Sequence, residues 1–256
     1  MALARSPAIV GPHASGTVAA VRGVPASAQG CRMTTIGSPG TRGRRAPRTQ
    51  AERRAASEHK LLRATAQLIA ERGTSTVSFG DIAKLAGCSH GLPSYLFGTK
   101  AGLLQALLND FSRRFREQAL DPAIRGASGF EALLITLRVF LESLDRPWPE
   151  TRAIYVLQGE SLGSSPELQA ALADYNSSLR SMLEEAIAEG ILDGHIRPGV
   201  RPEAQAVILL GILRGVGHQY VTDPFAVDLG TLTVEVLDSV TNSLAVDPTA
   251  WRSSPT

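Results

Sequence analysis

The sequence predicts an all-α fold, with about nine helices that follow one another between residues 49 and 246. Apolar side chains in this part of the chain recur at spacings of three and four, the period of a helix with one buried face. Residues that cap or end helices lie at the borders of these segments. The 256 residues, 43% of them apolar, suffice for one or two domains with a sizeable core.

The first two helices are predicted from their capping residues. Thr49 and Glu52 have the spacing of a capping box, which places helix one over about 50–72. Ser78 and Asp81 repeat this spacing at the start of a short second helix. Both helices are expected to end at the glycine that follows them.

A third and a fourth helix follow at once. Ser89 is expected to cap a third helix over about 90–97, and Thr99 to cap the fourth. The link between helices two and three contains only Gly87 and Cys88, and Gly87 can take the positive φ of a tight turn. Two short helices joined in this way predict a helix-turn-helix, whose second helix can enter a major groove of DNA.

Five longer helices are predicted beyond Asp121 and Pro122 from the same apolar period and from prolines and glycines at the segment ends. The eighth helix is apolar nearly all round, so more than one neighbour must cover it. The ninth has enough β-branched residues for a strand, but its length favours a helix. These five helices are expected over about 130–144, 150–161, 165–190, 203–221 and 228–244.

The net charge of +2 conceals an uneven distribution of charge along the chain. Residues 1–51 contain seven arginines and no acidic residue, whereas residues 121–256 contain nine basic against eighteen acidic side chains. Residues 52–120 contain ten basic and six acidic side chains. A basic front and an acidic back predict that the N-terminal part meets a polyanion.

Composition also sets the expected domain borders. Residues 1–48 are rich in Gly, Pro, Ser, Ala and Arg and cannot bury enough apolar surface to fold, so we expect a disordered leader. Met33 offers an alternative start, and an organelle transit peptide is an alternative interpretation of the leader. The other expected units are the helix-turn-helix domain over 49–98, a second helical domain over 99–246 and a flexible tail over 247–256.

The helix-turn-helix segment resembles the DNA-binding domain of TetR-type transcriptional regulators. In that family a short helix ends IAxxAGVS and is followed by xGxxYxxFxxKxxL, where this chain reads IAKLAGCSHGLPSYLFGTKAGLL. The resemblance implies a DNA-binding regulator rather than an enzyme, typically a ligand-released repressor that binds a palindromic operator as a homodimer in the cytoplasm. The positions on the pattern are Ser78, Ile82, Ala83, Ala86, Gly87, Ser89, Gly91, Phe97, Lys100 and Leu103.

DNA contacts are expected at the start of the third helix, where polar or small side chains can reach base edges. Leu92 can contact a thymine methyl, Tyr95 can donate to a phosphate, and Lys100 can bind the DNA backbone. Two positions depart from the family pattern, because Pro93 lies inside the recognition helix and Ser94 stands where the family usually has Tyr. The form G-L-P-x-Y-x-F-G resembles a subgroup of the same family. The expected DNA-binding residues are Ser78, Ser89, His90, Gly91, Leu92, Ser94, Tyr95, Lys100 and Arg48.

Arginines cluster just before the first helix, at Arg42, Arg44, Arg45 and Arg48. An arm of this kind could lie in an adjacent minor groove and strengthen DNA binding in a salt-dependent way. The alternative is a solvated leader without a role, since arginines in Gly/Pro-rich tails often reflect composition alone.

The acidic, apolar helices behind the helix-turn-helix predict a module that binds a ligand and pairs with a second copy. A pocket for a small apolar or amphipathic ligand is expected between helices four and eight, with few polar groups in its wall. For each candidate, a place in the ordinary core or on the surface is the alternative. The expected pocket residues are Phe111, Phe115, Phe140, Tyr155, Gln158, Tyr175, Met182, Arg214 and His218.

Helices eight and nine are expected to form the dimer interface, because a helix apolar on every side needs a further neighbour. Gly211 and Gly215, four residues apart, would let a partner helix come close. Tight packing within one subunit is the alternative. The expected interface residues are Leu209, Leu213, Val216, Tyr220, Leu232, Val236 and Val240.

Several other classes of protein are disfavoured by the residues present. Cys31 and Cys88 are the only cysteines, which argues against a disulfide framework or a thiolate zinc site and favours a reducing compartment. The most apolar run, 206–217, is too short for a membrane span and contains Arg214. Neither a paired-histidine metal motif nor a phosphate-binding glycine loop occurs, so no metal or cofactor is expected.

One enzyme motif is present, because residues 159–163 read G-E-S-L-G, which fits the nucleophile-elbow pattern G-x-S-x-G. With Asp193 and either His195 or His218 downstream, the chain order of an α/β-hydrolase triad can be written around Ser161. The elbow needs a parallel sheet beneath it, whereas the rest of the chain predicts helices. A serine esterase is therefore the alternative function from another class.

Overall fold

The computed structural model describes residues 49–145, 149–163 and 166–252 of the chain. These residues are almost entirely helical, and the single β-bridge among them joins Ile196 and Ala245. The prediction of an all-α fold is confirmed. The helices are α1 (Gln50–Arg72), α2 (Phe79–Ala86), α3 (Leu92–Phe97), α4 (Lys100–Phe115), α5 (Asp121–Ala123), α6 (Gly129–Ser143), α7 (Pro149–Ser161), α8 (Pro166–Leu192), α9 (Pro202–Thr222), α10 (Leu229–Leu244) and α11 (Thr249–Arg252).

The structure bears on the expected tail at the C-terminal end of the chain but not on the expected leader at the N-terminal end. The expected leader, residues 1–48, lies outside the described residues, and so does Arg48. The first part of the expected flexible tail contains a short helix, α11. Trp251 of α11 packs edge-on against Phe130 of α6, with ring centroids 4.9 Å apart. An aromatic side chain that can be buried thus holds this segment to the bundle.

Helices α1 and α2 begin at the predicted capping boxes. The Glu52 N–H donates to Thr49 Oγ1 at 3.2 Å, and the Thr49 N–H donates to Glu52 Oε2 at 2.7 Å. Ser78 and Asp81 make the same reciprocal pair at the start of α2. Each box satisfies two backbone N–H groups that have no partner within the helix.

Helix α3 begins at Leu92 rather than near residue 90. Its N-cap is Gly91, which makes no side-chain cap hydrogen bond, so the expected cap at Ser89 is wrong. Pro93 becomes the second residue of the helix, where its fixed φ fits and its missing N–H removes no intrahelical hydrogen bond. The turn before α3 contains Gly87 at φ 64°, as a tight helix-turn-helix link requires.

The five helices predicted beyond Pro122 are present as α6 to α10, with borders that differ by about one or two residues. The junction after α4 was missed. There a π-helical turn, Arg116–Leu120, leads into the three-residue α5 and buries Leu120. One buried side chain in a short segment gives no periodic signal, so its sequence could not reveal this turn.

One hydrophobic core runs from the N-terminal helices into the C-terminal bundle. Helix α1 packs against α2 and α4 and also against α7, while α8 packs against α4, α6 and α9. Leu61 of α1, Leu108 of α4 and Leu157 of α7 are fully buried where these helices meet. Because α1 is shared between both parts, it fixes the helix-turn-helix relative to the bundle. Within the described ranges, the structure contains no helix with the length and hydropathy of a membrane span.

Candidate DNA-binding surface and ligand cavity

The turn before α3 and the first turn of α3 form an exposed polar surface. Ser89, His90 and Gly91 are exposed in the turn, and Ser94 and Tyr95 are exposed on the helix. The Tyr95 side chain is 74% exposed, so its hydroxyl is accessible to a partner molecule. Five of the predicted DNA-binding residues therefore lie side by side on one accessible surface.

The neighbouring side chains hold this surface on the core. Leu92 is half-buried and packs against the core, and Pro93 is buried, so Leu92 is less accessible than the polar residues beside it. A Cβ added at Gly80 of α2 would lie 2.7 Å from His90 Nε2. The close packing of His90 on α2 therefore depends on Gly80, a residue that our sequence analysis missed.

Arg54 of α1 adds a positive charge to the same surface. Its guanidinium carbon lies 5.9 Å from the centroid of the Tyr95 ring, over the aromatic face. This cation–π contact orients both side chains. Arg54 could not be selected from the sequence, because α1 and α3 are brought together only by the fold.

Ser78 and Lys100, also predicted to contact DNA, are exposed but already have partners within the chain. Ser78 Oγ donates to Asp81 Oδ2 at 2.5 Å, and the hydrogen bonds from Ser78 hold the pKa of the Asp81 carboxyl below its usual value. The ammonium group of Lys100 donates to the carbonyl oxygen of Thr74 in the loop between α1 and α2. DNA contact by either residue stays a prediction.

A cavity of about 90 Å³ lies inside the bundle, between α4, α6, α7, α8 and α9. The predicted residues Gln158, Met182 and His218 do not line it. Each of these three follows a lining residue by about one helical turn, and the cavity is too small to reach the next turn. The predicted residues that do line it are Phe111, Phe115, Phe140, Tyr155, Tyr175 and Arg214.

A cluster of charged side chains that the sequence did not predict borders this cavity. Arg114 Nη2 lies 3.0 Å from Glu150 Oε1, and Arg114 Nε lies 2.9 Å from Asp110 Oδ2. Arg113 Nη2 lies 2.5 Å from Asp110 Oδ1. The two buried carboxylates and the two guanidinium groups neutralise one another, as buried charges must. The spacing of Asp110 and Arg114 on one face of α4 was the available signal.

Two polar side chains in the cavity wall have buried donors without an acceptor. The Tyr155 hydroxyl has no hydrogen-bond partner among the described residues, and burial raises the pKa of Tyr155 to about 12 despite the opposing effect of Arg214. Arg214 Nη2 donates to Asn176 Oδ1 at 3.2 Å, while its Nε and Nη1 are buried and find no acceptor in the described part of the chain. The Arg214 guanidinium carbon lies 5.2 Å from the centroid of the Tyr175 ring.

A groove of about 680 Å³ runs between α9 and α10 on the surface. Four of the predicted interface residues, Leu209, Leu232, Val236 and Val240, line it. Ile208 and Ile212 also line the groove and are exposed, as are Val207 and Val234 on the same two helices. We call this apolar surface the α9–α10 groove.

Three further residues predicted for the interface lie elsewhere. Leu213 and Val216 are buried in the core of the subunit, and the Tyr220 hydroxyl donates to a carboxylate oxygen of Asp145. Helix α9 buries one side within the subunit and exposes the other, and Leu213 and Val216 lie on the buried side; a role in an interface stays a prediction. An evenly apolar helix carries no pattern that distinguishes the two sides.

The G-E-S-L-G motif lies at the end of α7 and in the turn after it. Ser161 Oγ donates to the carbonyl oxygen of Gln158 at 2.8 Å, and His195 packs against Trp251 with ring centroids 5.3 Å apart. A nucleophile elbow needs a strand before the serine and a helix that starts at it, whereas here a helix precedes the serine. The alternative of a serine esterase is not supported.

Comparison with known proteins agrees with this geometry. Residues 61–107, which include α2 and α3, match the family model described as bacterial regulatory proteins, tetR family. The HTH-type transcriptional regulator BetI of Rhizobium meliloti is 29% identical over 157 residues, covering 55% of this chain and 77% of BetI. The HTH-type transcriptional repressor KstR2 of Mycobacterium tuberculosis is 27% identical over 139 residues, covering 54% of this chain and 68% of KstR2.

Solved structures share the fold. A TetR-family transcriptional regulator from Rhodococcus sp. has a TM-score of 0.66 and 24% identity, covering 73% of this chain and 97% of that one. NalD, the secondary repressor of the MexAB-OprM efflux pump in Pseudomonas aeruginosa, has a TM-score of 0.61 and 21% identity, covering 77% and 99%. Residues 61–107 therefore match the N-terminal domain of the tetR family of bacterial regulatory proteins, and together with the related regulators this identifies the chain as a DNA-binding transcriptional regulator rather than an enzyme.

Proposed function

We propose that the protein is a repressor that binds a two-fold symmetric operator as a homodimer and leaves it when a small molecule occupies the cavity. The observation that carries the proposal is the exposed polar start of α3, within the segment that matches the tetR family. KstR2 and NalD, two of the relatives, are named as repressors. The proposed site of action is the cytoplasm, where bacterial DNA lies.

Helix α3 supplies the base contacts in this proposal. His90, Gly91 and Ser94 can reach base edges in the major groove, and Leu92 can contact a thymine methyl. Tyr95 stands one position after the usual tyrosine of the family pattern. We assign Tyr95 to a phosphate because the Arg54 guanidinium lies over its ring and brings a positive charge to the same place. Ser78, Ser89 and Lys100 flank the helix and would bind further phosphates.

The α9–α10 groove is the proposed dimer interface. Its exposed isoleucines and valines form an apolar patch of the kind that a partner covers. Gly211 and Gly215 are exposed on α9, and a Cβ at either would meet no atom within 4 Å, so a helix of the second copy can approach closely. A two-fold pair would present two copies of α3 to half-sites about 34–36 Å apart.

Helix α7 connects the cavity to the helix-turn-helix. Tyr155 of α7 lines the cavity, and Glu160 at its end accepts the backbone N–H of Thr74 at 3.0 Å. Arg152 Nε donates to the carbonyl oxygen of Ala70 at 3.3 Å. A ligand that favours another position of α7 would therefore shift the end of α1 and the loop before α2, which changes the spacing of the two recognition helices.

Selection of bound fragments from random DNA tests this proposal. We expect an enriched site with two-fold symmetry, since each subunit reads one half-site. His90→Ala and Ser94→Ala should each relax the preference at particular bases by about 1–3 kcal/mol. Ser177→Ala, an exposed position on α8, serves as the matched control and should select the wild-type site. Failure to enrich any sequence would contradict the proposal.

A further inference from the structure

We propose that the cavity binds a short carboxylate with an apolar body, and that Arg214 holds the carboxylate group. The inference rests on the proposed function, in which this cavity is the ligand site. It adds the chemical class of the ligand, which follows from the charges and the unpaired donors of the cavity wall.

Arg214 is a cation inside the bundle without an acidic partner. Its one hydrogen bond goes to the neutral amide oxygen of Asn176, at 3.2 Å, and in the described part of the chain no carboxylate pairs with it. Its buried Nε and Nη1 groups point their N–H bonds at no acceptor. The guanidinium lies over the Tyr175 ring and makes a cation–π contact with it. This contact provides no acceptor for the N–H donors in the plane of the guanidinium.

The other charges around the cavity do not compensate Arg214. Arg114 pairs with Glu150 and Asp110, and Arg113 pairs with Asp110 from the outside of α4. Arg113 also pairs with Glu117, at 2.8 Å, and none of these three carboxylates pairs with Arg214. Arg214 therefore keeps a positive charge in the cavity wall with no carboxylate in contact, which favours an anion over a cation beside it.

A second donor lies in the same wall. Tyr155 is 8% exposed, its hydroxyl has no partner among the described residues, and it lines the cavity together with Arg214. A carboxylate offers two oxygens, each of which can accept more than one hydrogen bond. One such group could accept from the planar N–H donors of Arg214 and from the Tyr155 hydroxyl, whereas an alcohol offers one uncharged oxygen and weaker hydrogen bonds to the cation.

The remaining wall and the volume define the rest of the ligand. Phe111, Phe115 and Phe140 line the cavity, and the rings of Phe115 and Phe140 meet edge to face at 6.0 Å. Such a wall fits an uncharged hydrocarbon body. The small cavity volume, about 90 Å³, favours a short chain over a steroid-sized ligand.

Calorimetric titration of the purified full-length protein, without DNA, tests the inference with three probes of equal chain length. Hexanoate should bind at least about tenfold more tightly than hexanol or hexyltrimethylammonium, because only hexanoate pairs with the cation. Arg214→Met should weaken hexanoate binding at least about tenfold and leave hexanol binding unchanged. Arg125→Met, which removes an exposed arginine outside the cavity, is the matched control and should bind hexanoate like the wild type.

Arg214→Lys is a second variant, which keeps the test valid if the protein does not fold with Met at position 214. It retains the charge but loses the planar donor pair, so hexanoate should weaken several-fold and still be preferred over hexanol. Equal binding of the three probes, absence of hexanoate binding, or unchanged hexanoate affinity in Arg214→Met would each overturn the inference. Operator affinity is measured separately and distinguishes this failure from failure of the proposed function. If the protein binds operator but no carboxylate, the inference about the ligand is wrong and the proposal of operator binding stands.

Discussion

Single residues on α7 and α9 determine the chemistry of the cavity wall. Tyr155 and Arg214 keep unpaired donors buried beside aromatic rings, an arrangement that costs free energy unless an acceptor is supplied. Both residues could be selected from the sequence, since a polar group on an apolar helix stands out. That their donors lack partners depends on side chains from other helices, which only the packed structure brings into place.

Replacing Tyr155 by Phe is expected to change the pH dependence of stability above pH 10. Burial raises the pKa of Tyr155 to about 12, whereas an unfolded tyrosine ionises near pH 10. The folded state keeps a proton that the unfolded state releases, so this contribution is complete below pH 10 and is lost as the pH rises towards 12. Urea unfolding should show that the wild type loses about 2 kcal/mol more than Tyr155→Phe across this interval.

Tyr95→Phe is the control for that measurement, because the Tyr95 ring is 74% exposed. Its unfolding free energy at pH 7 should lie within about 0.5 kcal/mol of the wild-type value, because the hydroxyl is at the surface. Identical alkaline profiles for wild type and Tyr155→Phe would mean that the Tyr155 hydroxyl is not buried in solution.

Gly217 permits the close approach of Tyr155 to α9. A Cβ at Gly217 would lie 1.6 Å from the Tyr155 hydroxyl oxygen, so one of the two must move. We expect Gly217→Ala to lower the free energy of unfolding by about 1–3 kcal/mol, as overpacked cores do. Gly159→Ala on α7 is the matched control, since a Cβ there meets no atom within 4 Å and should raise stability by about 0.5–1 kcal/mol. Equal effects in both variants would contradict the close packing of α7 on α9.

At the level of helices, α7 contacts both the N-terminal helices, through α1, and the C-terminal bundle, through α8 and α9. The Glu160 carboxylate holds the Thr74 N–H, with oxygens at 3.1 and 3.0 Å, and this glutamate belongs to the motif that first suggested an enzyme. The glutamate within that motif thus has a structural role, as the acceptor for the Thr74 N–H.

Removal of this contact should loosen the loop between α1 and α2. Glu160→Ala leaves a partly buried N–H without its acceptor, so we expect a loss of about 1–2 kcal/mol in stability. Hydrogen exchange at the Thr74 amide should accelerate at the same time. Glu142→Ala, an exposed position on α6, should change neither quantity. Unchanged exchange at Thr74 would show that α7 does not restrain the loop.

For the whole molecule, the α9–α10 groove predicts the oligomeric state. Ile208→Glu places a charge in this apolar groove and should convert a dimer into monomers in sedimentation experiments. Operator affinity should fall by at least about a hundredfold, because two linked reading heads bind more tightly than one. Leu162→Glu is the control, since Leu162 is 89% exposed and lies away from the groove. A dimer that persists in Ile208→Glu would place the interface on another surface.

The basic leader predicts a contribution to DNA affinity that depends on salt. Chains that start at Met33 and at Thr49 remove successive parts of it, and the shorter one lacks Arg42, Arg44, Arg45 and Arg48. If these arginines lie in a minor groove, the chain from Thr49 should bind operator more weakly and with a smaller dependence on salt. Equal affinity and equal salt dependence in all three chains would remove the arm from the proposal.

Local sequence determined the helices, their caps and the helix-turn-helix of this protein. Capping boxes such as Thr49 with Glu52, and apolar spacings of three and four, involve residues within one or two turns, so they can be read without the fold. Only the tertiary structure decided which side of α9 is buried, how Asp110, Arg114 and Glu150 pair, and which donors in the cavity lack acceptors. Each of these depends on contacts between helices that lie far apart in the chain, and no periodicity within one helix encodes its neighbours.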